Sequence, residues 1–211
     1  TKKKFNLKTI CVGNIYIGGT GKTPLSLAIN KILNKKYKTV FIKKNYSNQF
    51  DEKNLLKSYG KIICDKERKS CLKIAIKKGF DVAILDDGLQ EKGIKYDISI
   101  ACFNSDVGIG NGFLLPAGPL RESLQNLKKY DGIFINGEKK NNKLYKIIKK
   151  INKKLKIFEG KYKPVNLNKF NRKKKFLAFS GLGNPDEFQR TLKKYKFKVE
   201  RKIIFPDHFN F

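Results

Sequence analysis

The stretch VGNIYIGGTGKTPLSLAI, residues 12–29, decides the fold of this chain of 211 residues. An apolar run ends at Val12, a glycine-rich turn follows, and apolar side chains then recur at helical spacing from Leu25 to Leu33. A strand, a turn and a helix in this order are the context that a phosphate-binding loop requires. The stretch therefore predicts that the chain binds a nucleotide.

Each part of this loop has a chemical role. Glycines at positions 18, 19 and 21 permit backbone conformations that let successive N–H groups point at one anion. The start of the following helix adds a partial positive charge. We predict that Lys22 reaches the outer phosphates and that the Thr23 hydroxyl binds Mg²⁺. From the residues alone, the predicted phosphate-binding positions are Gly18, Gly19, Gly21, Lys22 and Thr23.

One position departs from the strict pattern G-x-x-x-x-G-K-[ST], because Tyr16 stands where the first glycine belongs. The alternative is a glycine-rich turn that arose by chance, but the agreement of strand, GKT triplet and helix favours a phosphate-binding loop. The sequence has no N-K-x-D motif, which argues against a GTPase. The remaining classes of phosphate-loop protein are a kinase or another ATPase.

An acidic pair supplies the second half of such a site. The apolar run VAILDD, residues 82–87, ends in Asp86 and Asp87. One of the two is predicted to hold Mg²⁺, directly or through water. Adjacent carboxylates repel each other, and a cation relieves that repulsion. The alternative is a solvated acidic turn before Gly88.

Short apolar runs alternate with helical patterns along the chain, which predicts an α/β fold with a mostly parallel sheet and helices on both faces. Predicted strands cover residues 9–12, 39–42, 61–64, 82–86, 98–103, 132–135, 176–180 and 199–205. Helical periodicity is found at residues 25–33, 72–76 and 144–151. Asn184 is predicted to be the N-cap of a further helix, with Pro185 in its first turn.

Charge suggests how the chain divides. Acidic residues become scarce after Gly137, so we predict a nucleotide-binding core over residues 1–137 and a smaller basic lobe over 138–211 that continues beyond the sequence given. Of the formal net charge of +30, most comes from lysine, and Glu159 is the only acid among residues 139–175. That segment is suited to an anionic lipid surface, although lysine-coated solvated faces are the simpler alternative. Nucleic acid is not expected, because the lysine runs lack aromatic interleaving and arginine is rare.

The cysteines and the hydropathy restrict the cellular setting. Four cysteines without CxxC spacing and a single histidine do not form a usual zinc site, and they indicate a reducing compartment. No apolar run approaches the roughly 18–20 residues of a membrane span, and the first ten residues lack the apolar core of a signal peptide.

Four motifs, in this order, carry a family resemblance: GNIYIGGTGKTP, DDGLQ, GNGFLLPAGPLRE and FPDH. From residue 11 to 211, the chain resembles the tetraacyldisaccharide 4'-kinases, which phosphorylate the 4'-hydroxyl of a membrane-embedded acylated glucosamine disaccharide in the lipid A pathway. The resemblance implies a P-loop fold of the NTPase type, ATP and Mg²⁺ as cofactors, and an acylated disaccharide lipid as substrate. It also implies that Asp86 and Asp87 serve the metal and the phosphates, and that ATP is bound by Tyr16, Ile17, Gly18, Gly19, Thr20, Gly21, Lys22 and Thr23. It also implies peripheral attachment to the anionic cytoplasmic face of the bacterial inner membrane.

The resemblance implies a catalytic dyad as well. His208 matches the histidine of the family's PDH motif, and Asp51 matches the carboxylate of its G-D-E-P motif, which reads FDEK at residues 50–53 here. A neutral imidazole supported by a carboxylate can accept the proton of a sugar hydroxyl during phosphoryl transfer. We therefore expect Asp51 and His208 to act together as the base.

Other site residues follow from the GPLRE stretch. Arg121 is expected to steady the transferring or substrate phosphate, and Glu122 to assist the metal or the hydroxyl, although a structural ion pair is an equal alternative. The apolar turn GFLLPAGPL is either core or part of the wall that acyl chains contact. Glu91 replaces the histidine that follows DDGLQ in the family, and KKNYSN at residues 43–48 replaces its RGYG segment. A stand-alone P-loop ATPase or a truncated, inactive kinase homologue is therefore the alternative function.

Overall fold

The computed structural model describes residues 2–45, 50–206 and 209. The chain forms two compact units, Thr1–Lys161 and Tyr162–Phe211. The division lies after the boundary that the charge pattern placed near Gly137. The first unit extends to Lys161 because the segment after Gly137 adds a helix and a strand to it.

The first unit is built on a seven-stranded sheet in the order β3-β2-β4-β1-β5-β6-β7, in which every neighbouring pair is parallel. Its strands are β1 Lys8–Gly13, β2 Thr39–Lys44, β3 Ile62–Asp65, β4 Val82–Asp86, β5 Ile98–Asn104, β6 Gly132–Asn136 and β7 Lys156–Gly160. Its helices are α1 Lys22–Leu33, α2 Phe50–Tyr59, α3 Arg68–Lys77 and α4 Asn142–Ile151. The predicted α/β fold with a mostly parallel sheet is confirmed.

The centre of the sheet explains why the phosphate loop and the acidic pair meet. β4 lies between β1 and β2 and is buried at all five positions, as expected of a strand covered on both faces. Val12 of β1 is in register with Asp86 of β4. Because both strands run the same way, the residues that follow them meet at one edge of the sheet, where α/β proteins bind ligands.

Two elements of the first unit were not predicted. β7 is flanked by lysines and pairs only with β6 at the edge of the sheet. α2 buries a single residue, Leu56, so its sequence has little helical periodicity. α4 was predicted, and it buries Leu144 and Ile148 while most of its lysines face solvent.

The second unit contains a parallel pair of strands, β8 Lys175–Ser180 and β9 Lys198–Ile204, connected by the helix α5 Pro185–Lys194. The rings of Phe170, Phe176 and Phe197 pack edge to face, with centroids 5.3–6.1 Å apart. Asn184 precedes α5 and Pro185 begins it, as predicted, but the Asn184 side chain makes no capping hydrogen bond.

Candidate nucleotide-binding and catalytic site

The loop between β1 and α1 takes a conformation that depends on glycine at two points. Gly18 has φ of 96°, and Gly21, which precedes α1, has φ of 85°. Residues with a side chain rarely adopt positive φ, so the GGTG sequence meets a backbone requirement. Lys22 and Thr23 then occupy the first turn of α1, where free N–H groups favour an anion.

Asn14 braces the loop from inside. Its side chain is 1% exposed and donates from Nδ2 to the carbonyl oxygens of Tyr16 and Gly18, the latter at 3.3 Å. The turn is therefore pre-formed before any ligand is bound.

The segment 119–121 braces the loop from outside. Tyr16 forms an isolated antiparallel bridge with Leu120, and the Ile17 N–H donates to the Pro119 carbonyl oxygen at 2.9 Å. Tyr16 is the residue that stands where the strict motif has its first glycine. A residue with a side chain fits there because the backbone pairs with this segment.

Thr20 has an unsatisfied group inside the loop. The residue is 1% exposed, and its hydroxyl has no hydrogen-bond partner within the described part of the chain. Burying a hydroxyl without a partner costs about 1–3 kcal/mol. A phosphate oxygen in the loop would supply the missing partner.

Asp86 is fully buried and accepts three hydrogen bonds. They come from Thr23 Oγ1 at 3.2 Å, Ser26 Oγ at 3.0 Å and Lys43 Nζ at 3.0 Å. The contact with Thr23 joins the two predicted halves of the site.

Lys43 lies within the site, although the sequence did not single it out. Its ammonium forms ion pairs with Asp86 and with Glu52, the third residue of α2, and its side chain is 3% exposed. Burial would lower the pKa of Lys43, but the two carboxylates outweigh burial and raise it above its usual range. The lysine therefore remains charged beside the predicted metal site.

Asp87 interacts with different cations from those around Asp86. Burial would raise the pKa of Asp87, but Lys22 and Arg121 together lower it below its usual value. Arg121 Nη1 lies 2.9 Å from Asp87 Oδ1, and the same nitrogen donates to Asn14 Oδ1 at 2.9 Å. Arg121 thus joins the acidic pair to the phosphate loop.

Arg68 supports the turn that presents the two acids. Its guanidinium is nearly buried and donates from Nη2 to the carbonyl oxygens of Asp86 at 3.4 Å and Asp87 at 2.6 Å. Asp87 has φ of 54°, which is uncommon for a residue other than glycine. The hydrogen bonds from Arg68 hold that conformation.

Gln90 and Glu122 extend the network. Gln90 Nε2 donates to the Asn14 carbonyl oxygen at 2.8 Å and to Glu122 Oε1 at 2.9 Å. Glu122 also accepts from Asn126 Nδ2 at 2.7 Å and from the Tyr130 hydroxyl at 2.6 Å. Burial and the bond to Glu122 raise the pKa of Tyr130. Three donors thus surround a carboxylate that was predicted to assist the metal.

A cavity of about 290 Å³ lies at the carboxyl ends of β5, β6 and β7. Ser105, which lines it, is 5% exposed, and its hydroxyl has no hydrogen-bond partner among the residues described. A Cβ at Gly137 would lie 1.9 Å from Ser105 Oγ, so this position requires glycine. The Ser105 hydroxyl could therefore hydrogen-bond a ligand in this cavity.

The structure brings together most of the predicted site. Thr23 contacts Asp86, Arg121 contacts Asp87, and the charge of Lys22 lowers the pKa of Asp87. Asp51 lies in the first turn of α2 and is exposed, and it is the neighbouring Glu52 that pairs with Lys43. His208 lies outside the described residues, so the predicted dyad stays a prediction.

Comparisons with known proteins agree with the family resemblance of the sequence motifs. A family model described as Tetraacyldisaccharide-1-P 4'-kinase matches residues 1–211. A tetraacyldisaccharide 4'-kinase from Pelagibacter ubique (strain HTCC1062) is 47% identical over 216 residues, which cover 100% of this chain and 69% of the relative. One from Rickettsia canadensis (strain McKiel) is 34% identical over 222 residues, 97% of this chain and 67% of the relative.

Among solved structures, the crystal structure of LpxK from Aquifex aeolicus in complex with ATP matches with a TM-score of 0.72 and 23% identity. The match covers 99% of this chain and 74% of that chain. At this identity the likeness establishes the fold.

Proposed function

The chain belongs to the tetraacyldisaccharide-1-P 4'-kinase family, and from this premise we propose that it transfers the γ-phosphate of ATP to the 4'-hydroxyl of a tetraacylated glucosamine disaccharide 1-phosphate in lipid A biosynthesis. One observation carries the proposal. The pre-formed phosphate loop faces the acidic pair, with Thr23 Oγ1 3.2 Å from Asp86 and Arg121 bonded to both Asp87 and Asn14. That arrangement is what phosphoryl transfer from a nucleotide needs.

The ATP phosphates bind on residues 16–23 in this proposal. Backbone N–H groups of the loop and the start of α1 supply the donors, the Thr20 hydroxyl gains a partner, and Lys22 adds a positive charge. The cavity with Ser105 lies two strands from β1 at the same edge of the sheet. We assign the adenine to it, because its buried hydroxyl needs a hydrogen-bonding ligand.

Magnesium fits the oxygen donors that the site offers. Mg²⁺ in nucleotide sites is usually held by one or two protein oxygens together with phosphate oxygens, and Thr23, Asp86 and Asp87 are the residues that would hold it. When bound, the ion neutralises charge on the phosphates during transfer. Glu122 is surrounded by three donors, so we assign it to orienting Gln90.

Arg121 and Lys22 stabilise the charge that develops during transfer. Arg121 is ion-paired with Asp87, and together with the charge of Lys22 it lowers the pKa of that carboxylate. The Arg121 side chain is 34% exposed, so part of its planar donor fork remains accessible to a phosphate. Donors that are held in place before the reaction lower its barrier without reorganisation.

The proton of the acceptor hydroxyl goes to Asp51 and His208 in this proposal. Support for Asp51 comes from its position next to Glu52, whose ion pair with Lys43 ties the first turn of α2 to Asp86. Lys43 therefore connects Asp86 to the turn of α2 that carries Asp51.

The membrane surface is the proposed location of the reaction. Next to the phosphate loop, Phe113, Leu114 and Leu115 are 64%, 47% and 51% exposed, so this apolar turn is not core. We propose that it contacts the acyl chains or the anionic inner-membrane surface at its cytoplasmic face, with the lysines of α4 adding attraction to anionic lipid. Within the described ranges, no helix is both long and apolar enough to cross a bilayer.

The experiment that tests this function compares ADP release with and without the acceptor lipid, in detergent micelles containing Mg²⁺ and ATP. A kinase releases ADP only when the acceptor is present, and Lys22→Ala abolishes the release. Lys31→Ala, an exposed lysine in the last turn of α1, is the matched control and should retain activity. ADP release that does not depend on the acceptor would indicate a stand-alone ATPase, and no release at all would indicate an inactive homologue.

A further inference from the structure

A second cavity, of about 760 Å³, begins beside the phosphate site. At one end it is lined by Gln90, Arg121 and Glu122, and at the other by Ser99 and Asp131. Ser99 is at the start of β5 and Asp131 immediately precedes β6, so the far end lies at the edge of the sheet opposite the phosphate loop. The cavity therefore extends along the sheet from the edge that carries the phosphate loop toward the opposite edge.

Of the three acids that line this cavity, Glu91 is paired with an arginine, whereas Glu122 and Asp131 accept their hydrogen bonds from uncharged groups. Glu91 lies 3.7 Å from the Arg68 guanidinium. Asp131 accepts from the Ser99 backbone N–H at 2.8 Å and from its hydroxyl at 2.6 Å. Glu122 accepts the three hydrogen bonds described above.

The lysines of the cavity are not neutralised in the same way. Lys2, Lys92 and Lys95 line it and form no ion pair within the described part of the chain. Lys129 donates only to the neutral side chain of Asn126, at 2.7 Å. These four lysines outnumber Glu122 and Asp131, so the lining carries a net positive charge, which favours an anionic ligand.

Two residues connect this cavity to the reacting end of the nucleotide. Gln90 donates to the Asn14 carbonyl oxygen and Arg121 to the Asn14 side chain, and both also line the cavity. A ligand that contacts them has one end next to the phosphate loop and the rest of its length along the lysines.

We propose that this cavity binds the sugar-phosphate part of the acceptor, with its 1-phosphate on Lys92 and Lys95. The inference rests on the proposed function. In the acceptor, the reacting 4'-hydroxyl is on one sugar and the 1-phosphate on the other, so the two groups lie at opposite ends. The cavity is arranged in the same way, with Arg121 at one end and Lys95, three residues before the start of β5, toward the other.

The experiment uses two acceptors, the tetraacyldisaccharide with and without its 1-phosphate, in neutral detergent micelles. The variant Lys92→Glu/Lys95→Glu is compared with Lys73→Glu/Lys77→Glu, which changes the net charge equally at exposed positions of α3 outside the cavity. For each, the Kd of both acceptors and the KM of acceptor and ATP are measured.

Reversing Lys92 and Lys95 is expected to raise Kd and KM about tenfold or more for the acceptor with the 1-phosphate, because attraction becomes repulsion. The acceptor without that phosphate and ATP should be unaffected, as should all constants of the control variant. Equal weakening of both acceptors, weakening of ATP, or no effect would overturn the assignment. Since Kd needs no turnover, 1-phosphate-dependent binding without transfer would refute the proposed function and leave the cavity assignment standing.

Discussion

Lys43 and Asp86 form an ion pair in which the side chains are 3% and 0% exposed, with Nζ 3.0 Å from Oδ2. The same ammonium pairs with Glu52, so one cation joins β2, β4 and α2 at the phosphate-binding edge of the sheet. Breaking a buried pair by removing one partner leaves an uncompensated buried charge. Lys43 is therefore structurally necessary as long as both carboxylates are present.

Replacing Lys43 by methionine should lower the free energy of unfolding by about 3–5 kcal/mol, because Asp86 and Glu52 lose their common counter-ion. Chemical denaturation measures the change. Lys31→Met, at an exposed position of α1, should change the free energy by less than about 0.5 kcal/mol. A Lys43→Met protein as stable as the Lys31→Met control would show that the pair contributes nothing.

The ion pairs of Asp87 predict a pH dependence. Its pKa is lowered in the folded protein, so the folded state holds the carboxylate charged at pH values where the unfolded chain protonates it. The resulting stability is present above the usual pKa, about 3.9, and is lost as pH falls through the lower folded value. Denaturation of the wild type and Asp87→Asn at a series of pH values should show a difference that is constant above about pH 5 and shrinks below pH 4. A difference that grows on acidification would have the wrong sign.

Arg121→Lys should reduce kcat about 10²–10³-fold while the KM for ATP changes little. The guanidinium reaches Asp87 with two nitrogens and Asn14 with one of them, and a single ammonium cannot reproduce that fork. Steady-state kinetics with the acceptor lipid separate the two constants. Retained kcat would place Arg121 among purely structural residues.

The apolar turn beside the phosphate loop predicts membrane binding. Phe113→Ser/Leu115→Ser should weaken partitioning onto anionic vesicles about tenfold, since each side chain loses its apolar burial in lipid. Co-sedimentation measures the bound fraction. Ile32→Ser/Val165→Ser removes two other exposed apolar side chains, 69% and 96% exposed, and should leave binding intact. Equal loss in both variants would mean that this turn has no special role.

The sequence predicted the parts of the site that depend on local chemistry. The phosphate loop and the acidic pair were found because a turn that needs glycine, a helix start and two adjacent carboxylates are each recognisable without tertiary contacts. The parallel sheet followed from apolar runs alternating with helical periodicity.

Other features depend on tertiary burial, which the sequence does not display. Lys43 and Arg68 read as ordinary surface cations, yet one is buried between two carboxylates and the other beneath the turn of Asp86 and Asp87. The predicted boundary near Gly137 was wrong because it was inferred from the distribution of charged residues. Charge reports which residues face solvent, whereas β7 belongs to the first unit because its backbone pairs with β6. The sequence did contain one signal for the burial of Lys43, because this lysine directly follows the apolar residues of a predicted strand.

Transfer of label from ATP carrying ³²P at the γ-position to the tetraacyldisaccharide 1-phosphate tests the central claim most directly. The account predicts that the wild type produces a labelled lipid with one additional phosphate at the 4'-position, and that Lys22→Ala produces none. Labelled lipid formed equally by Lys22→Ala, or ATP consumed by the wild type without any labelled lipid, would contradict it.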